Sequence, residues 1–194
     1  MEPDARSDAM IVRRSIPVNV PNTLTLLRIL LTPLFAICLM KHLFGLALLV
    51  FAIAAVSDGM DGLIARLFHQ KTTLGAYLDP AADKLLLTTA FVTLAIQELI
   101  PSWLSVIVIT RDVLILFGIA LFVMTGREFQ PVPSILSKIT TVAQLASVLV
   151  VLVAYQAPRI AQIQGPLFWF AAGMTMVSGF QYIYRGLNIL QEQS

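Results

Sequence analysis

Residues 57 to 84 read SDGMDGLIARLFHQKTTLGAYLDPAADK and hold the side chains most able to do chemistry. Asp58 and Asp61 are spaced i, i+3, and Asp79 and Asp83 are spaced i, i+4. Each pair shares one face if its segment is helical. Four carboxylates gathered in a medium of low dielectric repel strongly. They must be protonated, paired with cations or bound to metal. Arg66 and Lys84 are the cations near them in sequence, two against four. An oxygen-only donor set suits hard divalent cations such as Mg²⁺ or Mn²⁺. Gly62, directly after Asp61, lets a ligand approach the backbone closely. Arg66, one turn further on the same face, suits a diphosphate oxygen, or equally snorkels to an interface. Asp79 before Pro80 also fits a helix N-cap with proline at the first helical position. That accounts for Asp79 alone and leaves Asp58, Asp61 and Asp83 among Ala, Leu and Ile.

The elements that must carry these acids are apolar. Of 194 residues, 58% are hydrophobic and 12% charged, about half the charge of an average soluble domain. Crossing a bilayer takes about 20 mostly apolar residues. Windows near 23–40, 44–66, 80–99, 102–124, 135–155 and 165–185 meet that need. Backbone in lipid is satisfied by helices or closed barrels. The expectation is therefore an all-α polytopic membrane protein with six transmembrane helices in a single domain over 23–194, preceded by a cytoplasmic, juxtamembrane segment over 1–22. Residues 9–20 mix apolar and basic types, as a surface-lying helix or a disordered basic anchor would. No cleavable leader is evident before the first long apolar run. Arg6, Arg13, Arg14, Arg66, Lys71, Arg127 and Arg185 fall on one side, Lys41 and Arg159 on the other. The positive-inside rule then puts both termini and the acid-bearing loop in the cytoplasm. The basic residues form no stripe, so no nucleic-acid partner is expected. Cys38, in an apolar run and the chain's one cysteine, reads as packing.

The pattern Asp58-x-x-Asp61-Gly62-x-x-Ala65-Arg66, eight residues, Gly75-x-x-x-Asp79-x-x-x-Asp83 resembles the signature of the CDP-alcohol phosphotransferase family at every defining position. The six-span layout resembles that family too. The resemblance implies a phosphatidyltransferase that uses CDP-diacylglycerol, works as a homodimer and holds two Mg²⁺ or Mn²⁺ ions, with its active site at the cytoplasmic face of a membrane, a bacterial inner membrane above all. It implies metal ligation by Asp58, Asp61, Asp79 and Asp83, and a general-base role for Asp83. Asn22, Thr25 and Arg28 resemble the family's N-x-x-T-x-x-R segment near the nucleotide. With Asp58, Gly62, Arg66 and Gly75, Asn22 and Thr25 make up the implied CDP-binding set.

Arg111, Lys138 and Arg185 resemble the basic residues that surround an acceptor phosphate in family members with phosphorylated acceptors. Arg111 and Asp112 also suit simple pairing, and Lys138 and Arg185 suit anchoring at helix ends. NVPNTLTLLRILLTPLF and SGFQYIYRGLNIL resemble phosphatidylglycerophosphate synthases, which implies sn-glycerol 3-phosphate as acceptor. Asp112, where those enzymes more often have Glu, and the stretch 133–145 look more like the family's cardiolipin synthases, which use phosphatidylglycerol; the expected acceptor is glycerol 3-phosphate, with phosphatidylglycerol as the alternative. From other classes, an aspartate-rich membrane prenyltransferase would separate its two acidic motifs widely in sequence. A cation transporter would not need Ala65-Arg66 or Gly75.

Overall fold

A computed structural model describes residues 20–67, 73–124 and 135–192, with side chains over 25–57, 84–118, 135–186 and at 188. Among them are six α-helices: α1 (Val20–Met40), α2 (Phe44–Leu67), α3 (Thr73–Ile96), α4 (Ser102–Met124), α5 (Ile135–Ala154) and α6 (Gln164–Glu192). A short 3-10 helix, Pro158–Ile163, links the last two. Residues 1–19, with the expected juxtamembrane stretch and Arg6, Arg13 and Arg14, lie outside the described residues, as do Lys71 and Arg127.

Four of the expected windows match to within three residues, and two do not. α3 starts at Thr73, seven residues before the window at 80. Asp79 is therefore inside the helix and is not its N-cap. Pro80 has no N–H for the carbonyl of Ala76, a gap a helix tolerates where neighbouring groups or side chains compensate. The same helix stops at Ile96, not 99. Glu98 has φ 59°, its N–H donates to the Ala95 carbonyl at 3.0 Å, and the Leu99 N–H donates to the Leu94 carbonyl at 2.9 Å. This is a left-handed cap of the Schellman type, built without the glycine that usually signals it. α1 ends the same way, with His42 at φ 57° and the Leu43 N–H donating to the Cys38 carbonyl at 2.9 Å. α6 runs seven residues past its window because its polar tail continues the helix.

Short connections fix which helix ends lie together. The three-residue turn 41–43 makes α1 and α2 antiparallel neighbours, and α1 also packs against α3. Gln97 Nε2 donates to the Leu39 carbonyl at 2.5 Å, tying the end of α3 to the end of α1. The Phe44 and Tyr155 rings, 3.8 Å apart, bring the α5 end to the same level. Trp103 and Trp169, 4.8 Å apart, do so for the starts of α4 and α6. We call this the turn end. The core inside it is apolar and close-packed: Phe35, Leu39, Phe51, Leu87, Phe91 and Leu152 are each at most 2% exposed.

Exposure is inverted relative to a water-soluble bundle. Leu30 (70%), Val56 (61%), Val106 (61%), Ile135 (77%) and Phe180 (67%) are exposed large apolar side chains. Thr25, Arg28, Arg111, Asp112, Thr140, Gln144, Thr175 and Ser178 are buried. Hydroxyl and amide groups join α5 to α6: the Thr140 Oγ1 hydroxyl donates to the Met174 carbonyl at 3.1 Å, and Gln144 Nε2 donates to Thr175 Oγ1 at 3.2 Å. Such polar contacts between helices are what remains to hold them where apolar surface gains nothing by leaving lipid. Within the described side chains, α5 is by itself long and apolar enough to cross a bilayer. The apolar stretches Thr25–Met40, Phe44–Ser57 and Lys84–Ile96 are shorter.

Candidate active site

The acids continue the backbone register of buried faces on their helices. On α2, Ala47, Val50, Phe51 and Ala54 are buried, and stepping on by four and seven from Ala54 reaches Asp58 and Asp61. On α3, the buried stripe Leu86, Leu87, Ala90 and Leu94 runs back to Asp83 and Asp79 in the same way. Thr25, Arg28, Thr32 and Phe35 make the corresponding buried stripe of α1.

The levels agree as well. At 1.5 Å per residue from the turn end, Asp58 and Asp61 stand about 21 and 26 Å along α2, Asp83 and Asp79 about 20 and 26 Å along α3, and Arg28 and Thr25 about 18 and 23 Å along α1. The three stretches of backbone thus stand at similar levels along α1, α2 and α3, with Asn22 one turn further along α1. The side chains of Asn22, Asp58, Asp61, Gly62, Arg66, Gly75, Asp79 and Asp83 lie outside the described residues. Among the described residues no group of three or more His, Cys, Asp or Glu side chains is arranged to hold a metal ion.

Beginning at Lys84, directly after Asp83, four helices meet in a largely buried polar cluster. Lys84 Nζ on α3 lies 2.6 Å from Asp112 Oδ1 on α4. Arg111 Nη1 donates to the same oxygen at 2.8 Å. Arg111 Nη2 donates to Ser137 Oγ on α5 at 2.7 Å and to Ser178 Oγ on α6 at 3.0 Å. Arg111 and Asp112 are each 4% exposed. The carboxylate therefore faces two cations, and the planar guanidinium fork is used across three helices. Among the described residues Asp112 Oδ2 and Arg111 Nε have no hydrogen-bond partner.

Among the described residues the Lys84 ammonium is held by Asp112, a partner that its nearness to the acids in sequence does not suggest. Sequence distance could not show this, because the partner is 28 positions away on another helix. Ser137 and Ser178 were also invisible beforehand, since nothing in a lone serine separates a hydrogen-bonding role from helix packing.

The three basic residues expected around an acceptor phosphate part company. Arg111 is buried and paired. Lys138 is exposed and falls on the same arc of α5 as the exposed Ile135, Val142 and Leu149, turned about 100° from Ser137. Arg185 is exposed but sits seven residues after Ser178, on the inward stripe of α6. An apolar groove of about 240 Å³ runs between α4 and α6, lined by Val106, Leu114, Met176, Phe180 and Ile183, with Arg111 also on its wall.

A family model described as CDP-alcohol phosphatidyltransferase matches residues 18–177, which include the three buried stripes of α1, α2 and α3 and every residue of the Lys84–Asp112–Arg111 cluster except Ser178. The chain belongs to that family. This phosphatidyltransferase is 33% identical to a human cardiolipin synthase (CMP-forming), over 90% of the chain and 64% of the human protein. The chain thus spans a little under two thirds of that relative's length. It is 32% identical to the CDP-diacylglycerol--glycerol-3-phosphate 3-phosphatidyltransferase of Bacillus subtilis strain 168, over 89% of the chain and 97% of that protein. A cardiolipin synthase (CMP-forming) of Streptomyces coelicolor is 34% identical over 61% of the chain. The shared region holds both the acid-bearing stretches of α2 and α3 and the Lys84–Asp112–Arg111 contacts.

Proposed function

We propose that the chain is an integral membrane enzyme that transfers the phosphatidyl group of CDP-diacylglycerol to phosphatidylglycerol, giving cardiolipin and CMP. The observation that carries the choice of acceptor is the state of Arg111. Its guanidinium is committed to Asp112 at 2.8 Å, a carboxylate it shares with Lys84, and its side chain lines an apolar groove that is open on the outer face. That combination suits an acceptor with acyl chains and a singly charged phosphodiester. A free phosphomonoester asks for several uncommitted cations, and Lys138 faces outward on α5. The likeness to two cardiolipin synthases over most of the shared region supports the same reading. sn-Glycerol 3-phosphate is the second reading, supported by the Bacillus subtilis relative, which the chain matches over nearly its full length.

Membrane embedding is supported by the exposed apolar belt and by Tyr155 (60%) and Trp169 (71%) at the turn end. Aromatic residues of this kind favour the boundary between lipid and water. A hydrocarbon layer is about 30 Å thick, so acids about 20 to 26 Å from the turn end would lie toward the opposite boundary. The basic bias of that side supports a cytoplasmic assignment.

Two inward-register acid pairs offer an all-carboxylate donor set, which fits Mg²⁺ or Mn²⁺ held by Asp58, Asp61, Asp79 and Asp83. Bound there, divalent cations would supply neutralisation of the diphosphate and of the charge that builds up on departing CMP. The chain's own residues do the rest. Asn22, Thr25, Gly62, Arg66 and Gly75 bind and orient the CDP group. Asp83 accepts the proton of the acceptor hydroxyl, whose oxygen forms a new bond to the lipid-side phosphorus as the bond from that phosphorus to the CMP oxygen breaks. The carboxylate is a weak base, so alignment carries more of the acceleration than basicity. The test is a product assay on purified protein with radiolabelled CDP-diacylglycerol and either acceptor. Labelled cardiolipin with phosphatidylglycerol is the expected result. Label entering only the glycerol 3-phosphate product would move the assignment to the second reading.

A further inference from the structure

The proton transfer and diphosphate binding proposed above use neither Lys84 nor Asp112, which form an ion-pair triad with Arg111. Lys84 follows Asp83 directly, and about 100° of helix rotation separates them. The buried stripe of α3, with Leu87, Ala90 and Leu94, is centred on the register of Asp83. Lys84 stands at its edge, toward α4, where Asp112 receives it at 2.6 Å. An ammonium on a four-carbon stem, one residue from a proposed metal ligand, would otherwise act as a competing cation beside the acid quartet. Asp112 serves both Lys84 and Arg111 through a single oxygen, Oδ1. Two cations and one carboxylate leave the triad with one net positive charge. Its side chains are 4 to 22% exposed, so solvent screens that charge poorly.

We propose that Asp112 is a positioning residue that holds the Lys84 ammonium away from the acid quartet and so sets the site's affinity for divalent cations. This rests on the metal-holding role argued above for the four aspartates. Metal affinity then follows the net charge of the triad: zero in Lys84→Met, one positive charge in the native chain and in the double variant Lys84→Met/Asp112→Asn, and two in Asp112→Asn.

The experiment measures Mn²⁺ binding to the purified full chain in detergent, without substrate, from the loss of the free-ion electron paramagnetic resonance signal. Asp112→Asn is expected to bind Mn²⁺ about tenfold more weakly than the native chain, Lys84→Met at least as tightly, and the double variant within about threefold of native. Native affinity in Asp112→Asn overturns the inference. So does a double variant as weak as Asp112→Asn, because the loss would then come from disturbed packing and not from the released ammonium. If Asp112→Asn fails to fold, Lys84→Met still decides: weaker Mn²⁺ binding there contradicts the charge order. A native chain that binds no Mn²⁺ at all removes the metal reading itself, which separates that failure from failure of the Asp112 proposal.

Discussion

Replacing Arg111 by Met tests whether the buried guanidinium ties the bundle together or waits as a free hook for an acceptor. The substitution keeps a flexible apolar stem and deletes three contacts: Ser137 Oγ at 2.7 Å, Ser178 Oγ at 3.0 Å and Asp112 Oδ1 at 2.8 Å. Hydrogen bonds between helices in membranes average about 0.6 kcal/mol and reach about 1.7 kcal/mol, so the two serine contacts account for about 1 to 3 kcal/mol. Asp112 keeps Lys84 and so avoids the full cost of an isolated buried charge; losing one of its two cations adds on the order of 1 kcal/mol. The expected destabilisation is about 2 to 4 kcal/mol, read from reversible unfolding in mixed micelles as the fraction of denaturing detergent rises. Ser178→Ala alone is expected to cost about 0.5 to 1.5 kcal/mol, and the Arg111→Met/Ser178→Ala cycle to show a coupling of about 0.6 to 1.7 kcal/mol. An Arg111→Met protein within about 0.5 kcal/mol of native stability, with no coupling to Ser178, would refute the tie between helices.

Three further outcomes are expected. Asp83→Asn, which keeps shape and removes the proposed proton acceptor, should lower turnover at least about 100-fold while unfolding stays close to native; near-native turnover would remove the base assignment. Lys138→Ala should leave the acceptor KM within about twofold, because that side chain lies on the outward arc of α5 with Ile135 and Val142; a large rise in KM for glycerol 3-phosphate would instead favour that acceptor. Gly118→Ala should cost about 1 to 3 kcal/mol in the same unfolding assay. A Cβ at Gly118 would come within 2.8 Å of Tyr182 Cε1 and push the phenol off the Ile115 carbonyl it donates to at 3.2 Å; unaltered stability would mean the ring moves freely.

Sequence alone settled the class of chemistry and most of the architecture. The acid pairs at i, i+3 and i, i+4, the small residues beside them and the length of each apolar window are local properties, and local properties survive without a fold. Membership of the family followed from the same local signature, and α4 runs over the very residues its apolar window covers. What the sequence could not settle depended on partners far along the chain or on caps without their usual residue. The stop of α3 rests on a left-handed Glu98, which no glycine announces. Its early start runs through Pro80, a residue that locally reads as a beginning. The fate of Lys84 was the largest surprise: by sequence it belongs to the acids around it, yet tertiary packing places Asp112 against it. Periodicity says which face of a helix turns inward; only the packed bundle says which neighbour waits there, because a buried charge goes to whichever opposite charge the fold brings within reach.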